Sequence, residues 1–456
     1  MSPLPLRLTV LFLWIMLLLL LAGCSFSGIV KKPDSASSSE PFAAADRKTV
    51  TLRYLIWNSD YSASYQKMFA EFNKEYPGIK VDLQVVPWGN YWDKLMTEIA
   101  GGKAPDLYWG YFPRFPGFID KAAVLDLTNY MKRDHVDLSK YNSSMLQAYA
   151  SDGKQYAIPQ SFGAMGIIYN RDLLMKAGFD SYPEGLEWNP VDGGSFVRFL
   201  QRLTLDKEGR HPDESGFDAD HIVQYGFNFI DKDQVDPGQL IGLIASNGGT
   251  FMKDGRLALD DKLRETYQFV YDLVFKYHVM PNFQDIHTGG SENKFLSGQT
   301  AVWMNGQWMM KPLKDKAGFD WAVGSLPKGP AGTFTLVAGL GDLIYSGTKH
   351  PEEAWQLVKF MAGPKAQNIL AESGIVFPAY EDAISRFLET YRKIGIDAQL
   401  FVDGYNGATV VSPGAKNYGE WYQVFVKYTG LMLSGDIDPR TALDRLKQEG
   451  DVAANQ

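Results

Sequence analysis

Cysteine is almost missing from this chain: among 456 residues there is only Cys24, so no intrachain disulfide can form and a chain of this length must be held together by its apolar cores. Long basic runs are missing as well. With 45 Lys plus Arg against 53 Asp plus Glu, the formal charge is −8, and nothing gathers enough positive charge to neutralise phosphates, so no nucleic-acid partner is expected. There is no G-x-S-x-G, P-loop, H-E-x-x-H or dinucleotide glycine fingerprint, and the six histidines (His135, His211, His221, His278, His287, His350) are too dispersed for a local His-His metal motif. Asp231-x-Asp233 followed by Asp236-Pro237-Gly238 has its third acid and its glycine out of register for a calcium loop and is read as an acidic turn. No metal, cofactor or catalytic residue is expected.

What is present is an ordinary globular composition, 45% hydrophobic and 21% charged, with an excess of aromatic residues: 14%, including 11 Trp. Length alone suggests two or three lobes. One apolar run, 8–22, follows Arg7 and is shorter than the roughly 20 residues of a spanning helix, which describes a secretory signal. It ends Leu21-Ala22-Gly23-Cys24, which resembles the bacterial lipoprotein signal. That resemblance implies cleavage before Cys24, a lipid on its sulfur and attachment to the outer side of the cell membrane; a plain signal with a chance cysteine is the alternative. Residues 1–23 are then the signal peptide. Residues 24–46, rich in Ser, Ala and Pro, read as a flexible tether with a reach of roughly 25 Å.

The body opens with alternating strands and helices. A strand is expected over 49–57, a helix over 65–76 with Met68, Phe69, Phe72 and Tyr76 at helical spacing, a strand over 79–85, a helix over 91–100 and a third strand over 106–111. Such alternation implies a parallel sheet covered by helices, an α/β fold in which ligands gather at the carboxyl ends of the strands. The three loops that leave those ends carry Trp57-Asn58, Trp88 with Asn90 and Tyr91, and Trp109 with Tyr111. Core packing explains any one aromatic residue; three successive aromatic strand ends favour a binding surface.

Further along, FAEFNKEYPGIKV at 69–81, IAGGKAPDL at 99–107, DGKQYAIPQSFGAMGIIYNRDLLMKAG at 152–178, FLSGQTAVWMNGQWMM at 295–310 and HPEEAWQLVKFMAGPKAQ at 350–367 occur in order. Together they resemble the extracellular solute-binding proteins of bacterial ABC importers, in particular the carbohydrate-binding group related to maltose-binding protein. Val302-Trp303 departs mildly from the Ala-Met common there. The resemblance implies a two-lobed periplasmic-binding-protein-like fold, each lobe a sheet flanked by helices, with 47–160 plus 328–373 forming the first lobe and 161–327 plus 374–456 the second. Hinge crossings are expected near 159–164, 327–332 and 373–378.

By the same resemblance Trp308 and Trp421 stack on ligand from the second lobe, and Trp109 stands near a first-lobe aromatic position. Trp303 and Trp355 are assigned to packing. Polar candidates are Asn58, Asn90, Asp106, Gln160, Asn305 and Asp342, with Asp106 equally suited to brace its loop. Arg114 is kept as a specificity question. The expected function is capture of a mono- or oligosaccharide between the lobes by a monomer and delivery to ABC permease transmembrane subunits. A membrane-anchored glycoside hydrolase or lyase, with two carboxylates across the scissile bond, and a binding protein for a non-sugar solute are the rivals.

Overall fold

The structure is a computed structural model that describes residues 49–230, 235–253, 255–412 and 414–455. The expectations for Cys24, the signal peptide, the tether and the 231–234 part of the acidic turn lie outside those residues.

The first five elements follow the sequence pattern: β1 (Val50–Ile56), α1 (Ser62–Glu75), β2 (Ile79–Val85), α2 (Trp88–Ala100) and β3 (Leu107–Tyr111). In α1, Tyr65, Met68, Phe69 and Phe72 form one buried face, and the helix ends just before Pro77-Gly78, which cannot continue it. β1 pairs in parallel with β2, from Val50 opposite Ile79 to Ile56 opposite Val85, and with β3 through Tyr54 and Leu55. Only Ile79 of β2 is buried, as suits the edge of a sheet.

Two long strands then carry the architecture. β4 (Pro159–Asn170) is buried at all twelve positions. Later come α3 (Pro237–Ser246), β5 (Thr300–Gly306) and β6 (Thr335–Ile344). The first part of β4 pairs antiparallel with β6, Gly163 opposite Ala338 and Ser161 opposite Leu340. Its second part pairs with β5, Gly166 opposite Asn305, and with the short strand Trp321–Gly324. β6 in turn lies antiparallel to β3, Leu340 opposite Tyr111 and Ile344 opposite Leu107. Both strands therefore belong to the two halves at once.

Segment 327–332, expected as the second crossing, lies instead against the second half: Lys328 N donates to Leu186 O at 2.8 Å and Ala331 N to Ser246 O at 2.8 Å. Its Pro and Gly residues make turns, and the chain passes between the halves slightly later, along β6. At the third position, α4 (Pro351–Ala362) and α5 (Pro364–Ser373) give way through left-handed Gly374 to the short strand Phe377–Pro378, which pairs with Phe162 and Ser161 of β4. After the short strand Thr409–Val411 the last long helix, α6 (Tyr418–Ser434), begins.

Three apolar cores fill the body. One gathers Leu52, Tyr65, Phe72, Trp109, Leu343 and Trp355 around β1 to β3. Another gathers Ile167, Trp188, Phe227, Val302, Trp421 and Phe425. The third lies beside the shared strands and contains Phe162, Trp303, Phe377, Phe401 and Tyr405. Trp303 and Trp355 are fully buried, and their ring nitrogens donate to Ile230 O at 3.1 Å and Asp134 Oδ2 at 2.8 Å.

Candidate functional site

Parallel pairing of β1, β2 and β3 brings their carboxyl ends side by side, and the aromatic residues there meet. The half-buried Trp57 is the hub, with ring centres 5.1 Å from Trp88, 5.1 Å from Tyr91, 5.5 Å from Trp92 and 4.8 Å from Trp109. Trp88 meets Tyr111 edge-on at 5.7 Å, and Tyr111 meets Tyr418, at the start of α6, at 6.4 Å. Edge-on aromatic pairs contribute about 0.5–1.5 kcal/mol each beyond burial, so this chain of rings is a stiff wall running from one half into the other.

The floor is set by strand register. Residues opposite one another in an antiparallel pair share a face, as do residues two apart on a strand. Tyr111, Leu340, Ser161, Ala338 and Gly163 therefore lie on one face of the sheet. Gly163 has no side chain there because an indole takes its place: a Cβ on Gly163 would stand 2.8 Å from the Trp308 ring, and Gly306 is covered by the same ring. Trp308 follows β5 and remains half-buried, as do Tyr111, Ala338 and Leu340. Gln307 fixes this arrangement by donating from Nε2 to Phe162 O at 3.1 Å and accepting at Oε1 from Ala164 N at 3.3 Å. The result is a shallow apolar floor of Ala338 and Leu340 between a ring from the second half and rings from the first.

Of the residues expected to bind, Trp57, Trp88, Tyr111 and Trp308 border this floor or its wall. Asn90, at the start of α2, is exposed. The others are placed differently, and each difference has a physical cause. Asp106 precedes β3 at its amino end, away from the strand ends that form the site, where its carboxylate accepts from Arg53 N at 2.9 Å and from Thr348; it is a brace. Asn58 caps the turn Ser59–Tyr61 by accepting from Asp60 N at 2.9 Å. Tyr91 is buried beneath Trp57 and donates to Trp109 O at 2.8 Å.

Trp109, Gln160 and Asp342 do come together, but farther along the same sheet face, where Tyr65 of α1 covers them. Trp109 Nε1 and Gln160 Nε2 each donate to the Tyr65 hydroxyl at 2.8 Å. Tyr65 hydrogen-bonds Tyr54, whose hydroxyl donates to Asp342. All five side chains are buried. Burial pushes the Asp342 carboxyl up to about 7, against the hydrogen bond from Tyr54, which lowers it, and raises both tyrosines well above their ordinary range. A register shift between Leu340 and Gly341 makes Gln160 the extra residue on β4, and such bulges re-aim a side chain, here toward Tyr65.

Asn305 is buried inside β5, where its side chain accepts from Gly306 N at 2.7 Å. Trp421 is fully buried in the second core, against Tyr418 at 5.4 Å, Phe425 at 5.6 Å and Phe251 at 6.0 Å. The ring that reaches the first half is Tyr418, nearly one helical turn earlier. Its position three residues before an apolar tryptophan at a helix start was the available signal.

Arg114 is a half-buried cation set against this wall of rings. Its Cζ lies 4.4 Å from the Trp92 ring centre and 5.5 Å from that of Tyr418. Burial lowers its pKa, while the neighbouring Tyr418, Tyr422, Tyr111 and Glu420 oppose the shift. Arg114 Nε, Trp92 Nε1, Gln160 Oε1 and Ser161 Oγ are buried without a hydrogen-bond partner. Asp236, from the acidic turn, caps α3 by accepting from Gly238 N at 2.8 Å, with Gln239 completing the capping box. Among the described residues no helix is long and apolar enough to cross a membrane, and no cluster of three His, Cys, Asp or Glu could hold a metal ion.

Comparison with known proteins places this arrangement. The arabinooligosaccharide-binding protein of Bacillus subtilis is 25% identical over 382 residues, covering 79% of this chain and 78% of its own. The maltooligosaccharide ABC transporter solute-binding lipoprotein of Streptococcus pneumoniae is 24% identical over 377 residues, covering 80% and 79%. In structure, the chain is similar to an ABC substrate-binding protein from Listeria monocytogenes in complex with cycloalternan, with a TM-score of 0.78, 24% identity and coverage of 89% and 98%. These neighbours have the two-lobed, periplasmic-binding-protein-like α/β fold. The profile of the bacterial extracellular solute-binding proteins matches residues 57–368, more than half of the sequence, and the chain belongs to that family of binding proteins, not enzymes.

Proposed function

We propose that this chain is the substrate-binding component of an ABC sugar importer, taking a mono- or oligosaccharide between its lobes and closing around it. The observation that carries this reading is the shared sheet face on which Trp308 of one lobe and Tyr111 of the other flank Ala338 and Leu340. A sugar ring has C–H faces that match flat aromatic rings and small apolar side chains, and a hydroxyl rim that matches polar atoms. Ser161 Oγ, on the floor's face, and Trp92 Nε1, in the wall, are buried polar atoms without partners, the kind that a hydroxylated ligand or its waters satisfy. Relatives of similar length named for arabino- and maltooligosaccharides support the same ligand class.

Micromolar binding needs about 8 kcal/mol, within reach of a few stacked rings and desolvated hydrogen bonds. A ligand that touches both lobes favours the closed arrangement by the difference in its affinity for the two forms, and only that difference shifts the equilibrium. β4 and β6, with the crossing at 373–378, act as the hinge. The permease transmembrane subunits then receive the closed form. Lipid on Cys24 and the 24–46 tether hold a monomer at the extracytoplasmic side of the membrane.

Calorimetry of the purified chain against a saccharide panel tests the proposal. Saturable binding with the sugar recovered intact is expected. Cleaved product, or no binding by any member, overturns it.

A further inference from the structure

Among the described arginines that form no ion pair, Arg114 is half-buried while Arg171, Arg202, Arg256, Arg440 and Arg445 are exposed. Arg133 forks onto Glu352 at 2.8 and 2.7 Å, and Arg210 is held by Asp206 at 2.8 Å. Arg114 lies instead between two rings, Trp92 of the first lobe and Tyr418 of the second, and among the described residues it forms no ion pair. Its Nε is buried without a hydrogen-bond partner. Asp120, on the helical segment that follows Arg114, pairs with Lys416 at 3.1 Å. Glu420 is exposed; its charge favours the guanidinium, but it forms no ion pair with Arg114. Gly419 leaves room beside it, since a Cβ there would stand 3.2 Å from Nη1.

A partly desolvated cation that pairs with no carboxylate is costly, and contact with aromatic faces compensates only in part. A guanidinium with free donors in a fixed fork is shaped for an oxyanion. Both rings that hold it belong to the wall that continues through Tyr111 and Trp88 to the floor under Trp308.

We infer that Arg114 is a specificity-determining residue for an acidic saccharide, one carrying a carboxylate or sulfate ester that pairs with the guanidinium as the lobes close. This rests on reading the cleft as a saccharide site.

Calorimetry on the detergent-solubilised full chain tests it with matched probes: galactobiose against digalacturonate for a carboxylate, and unsulfated against sulfated chondroitin disaccharide for a sulfate. In the wild type, a charged probe is expected to bind at least tenfold more tightly than its counterpart, with affinity falling as salt rises. Arg114→Gln should reduce that ratio by about tenfold, and Arg114→Lys should retain part of it. Equal affinity within both pairs, or a ratio unchanged in Arg114→Gln, overturns the inference but leaves the saccharide reading standing if neutral probes bind. Binding by no probe overturns the inference, and the saccharide reading then stands or falls on the wider panel.

Discussion

The hydroxyl of Tyr65 accepts a hydrogen bond from Trp109 Nε1 at 2.8 Å while the backbone oxygen of Trp109 accepts one from Tyr91 at 2.8 Å, so both polar ends of the Trp109 residue are tied down in the core. The same hydroxyl accepts from Gln160 Nε2 at 2.8 Å, which links α1 to the strand shared by both lobes. Tyr65→Phe removes one oxygen and leaves two buried donors without an acceptor. A loss of about 1–3 kcal/mol of stability is expected in a denaturant melt. A melt indistinguishable from wild type would show that water or a neighbouring group replaces the hydroxyl.

Asp342 should make stability fall as pH rises. Its carboxyl titrates at about 7 in the fold and at an ordinary 3.8 when unfolded, with burial as the cause. Between those values the folded form holds more protons than the unfolded one, so stability decreases from about pH 4 to pH 7 and then levels off with respect to this group. Asp342→Asn removes the charge and should raise the melting temperature relative to wild type more at pH 8 than at pH 5. An equal shift at both pH values would contradict the assignment.

Trp308 and Trp421 should separate binding from stability. Trp308→Ala exposes the strand backbone under its ring and removes a half-buried aromatic wall, with an expected affinity loss of about tenfold to a hundredfold and little change in melting. Trp421→Ala empties a fully buried site and should cost about 3–5 kcal/mol. Calorimetry and melting measured on both variants decide; the opposite pattern would exchange their roles.

Gly163→Ala tests the seat of the ring directly. The new methyl would stand 2.8 Å from the Trp308 ring, so the indole must lift from the sheet, at about 1–3 kcal/mol of overpacking. Weaker saccharide binding with a changed tryptophan fluorescence maximum is expected. Unaltered affinity would mean that the position of Trp308 is not set by the glycine.

Local pattern carried most of the first lobe: periodicity placed β1, α1, β2, α2 and β3 within a few residues, because each presents one apolar face or a clean alternation. The site was legible only in part. Trp57, Trp88 and Tyr111 leave strand ends, where side chains escape the covering helix, and the sequence marks them as such. Trp109 lies two residues deeper on the same strand, under Tyr61 and Tyr65 of the first helical segment, and no single-chain pattern distinguishes those depths. Asp342 and Gln160 depend on register with distant strands and on a bulge. Trp421 and Tyr418 share one helix start, and which of them faces the opposite lobe depends on the helix's rotation.

The twelve consecutive buried residues of β4 have a mechanical corollary. One ribbon, broken in register only by the bulge at Gln160 and laced on both margins, passes through the two halves. Under the proposed closure that ribbon would wind and unwind as a torsion bar, its stiffness setting how far the jaws part in the empty protein and how firmly they resist a cargo that grips only one of them.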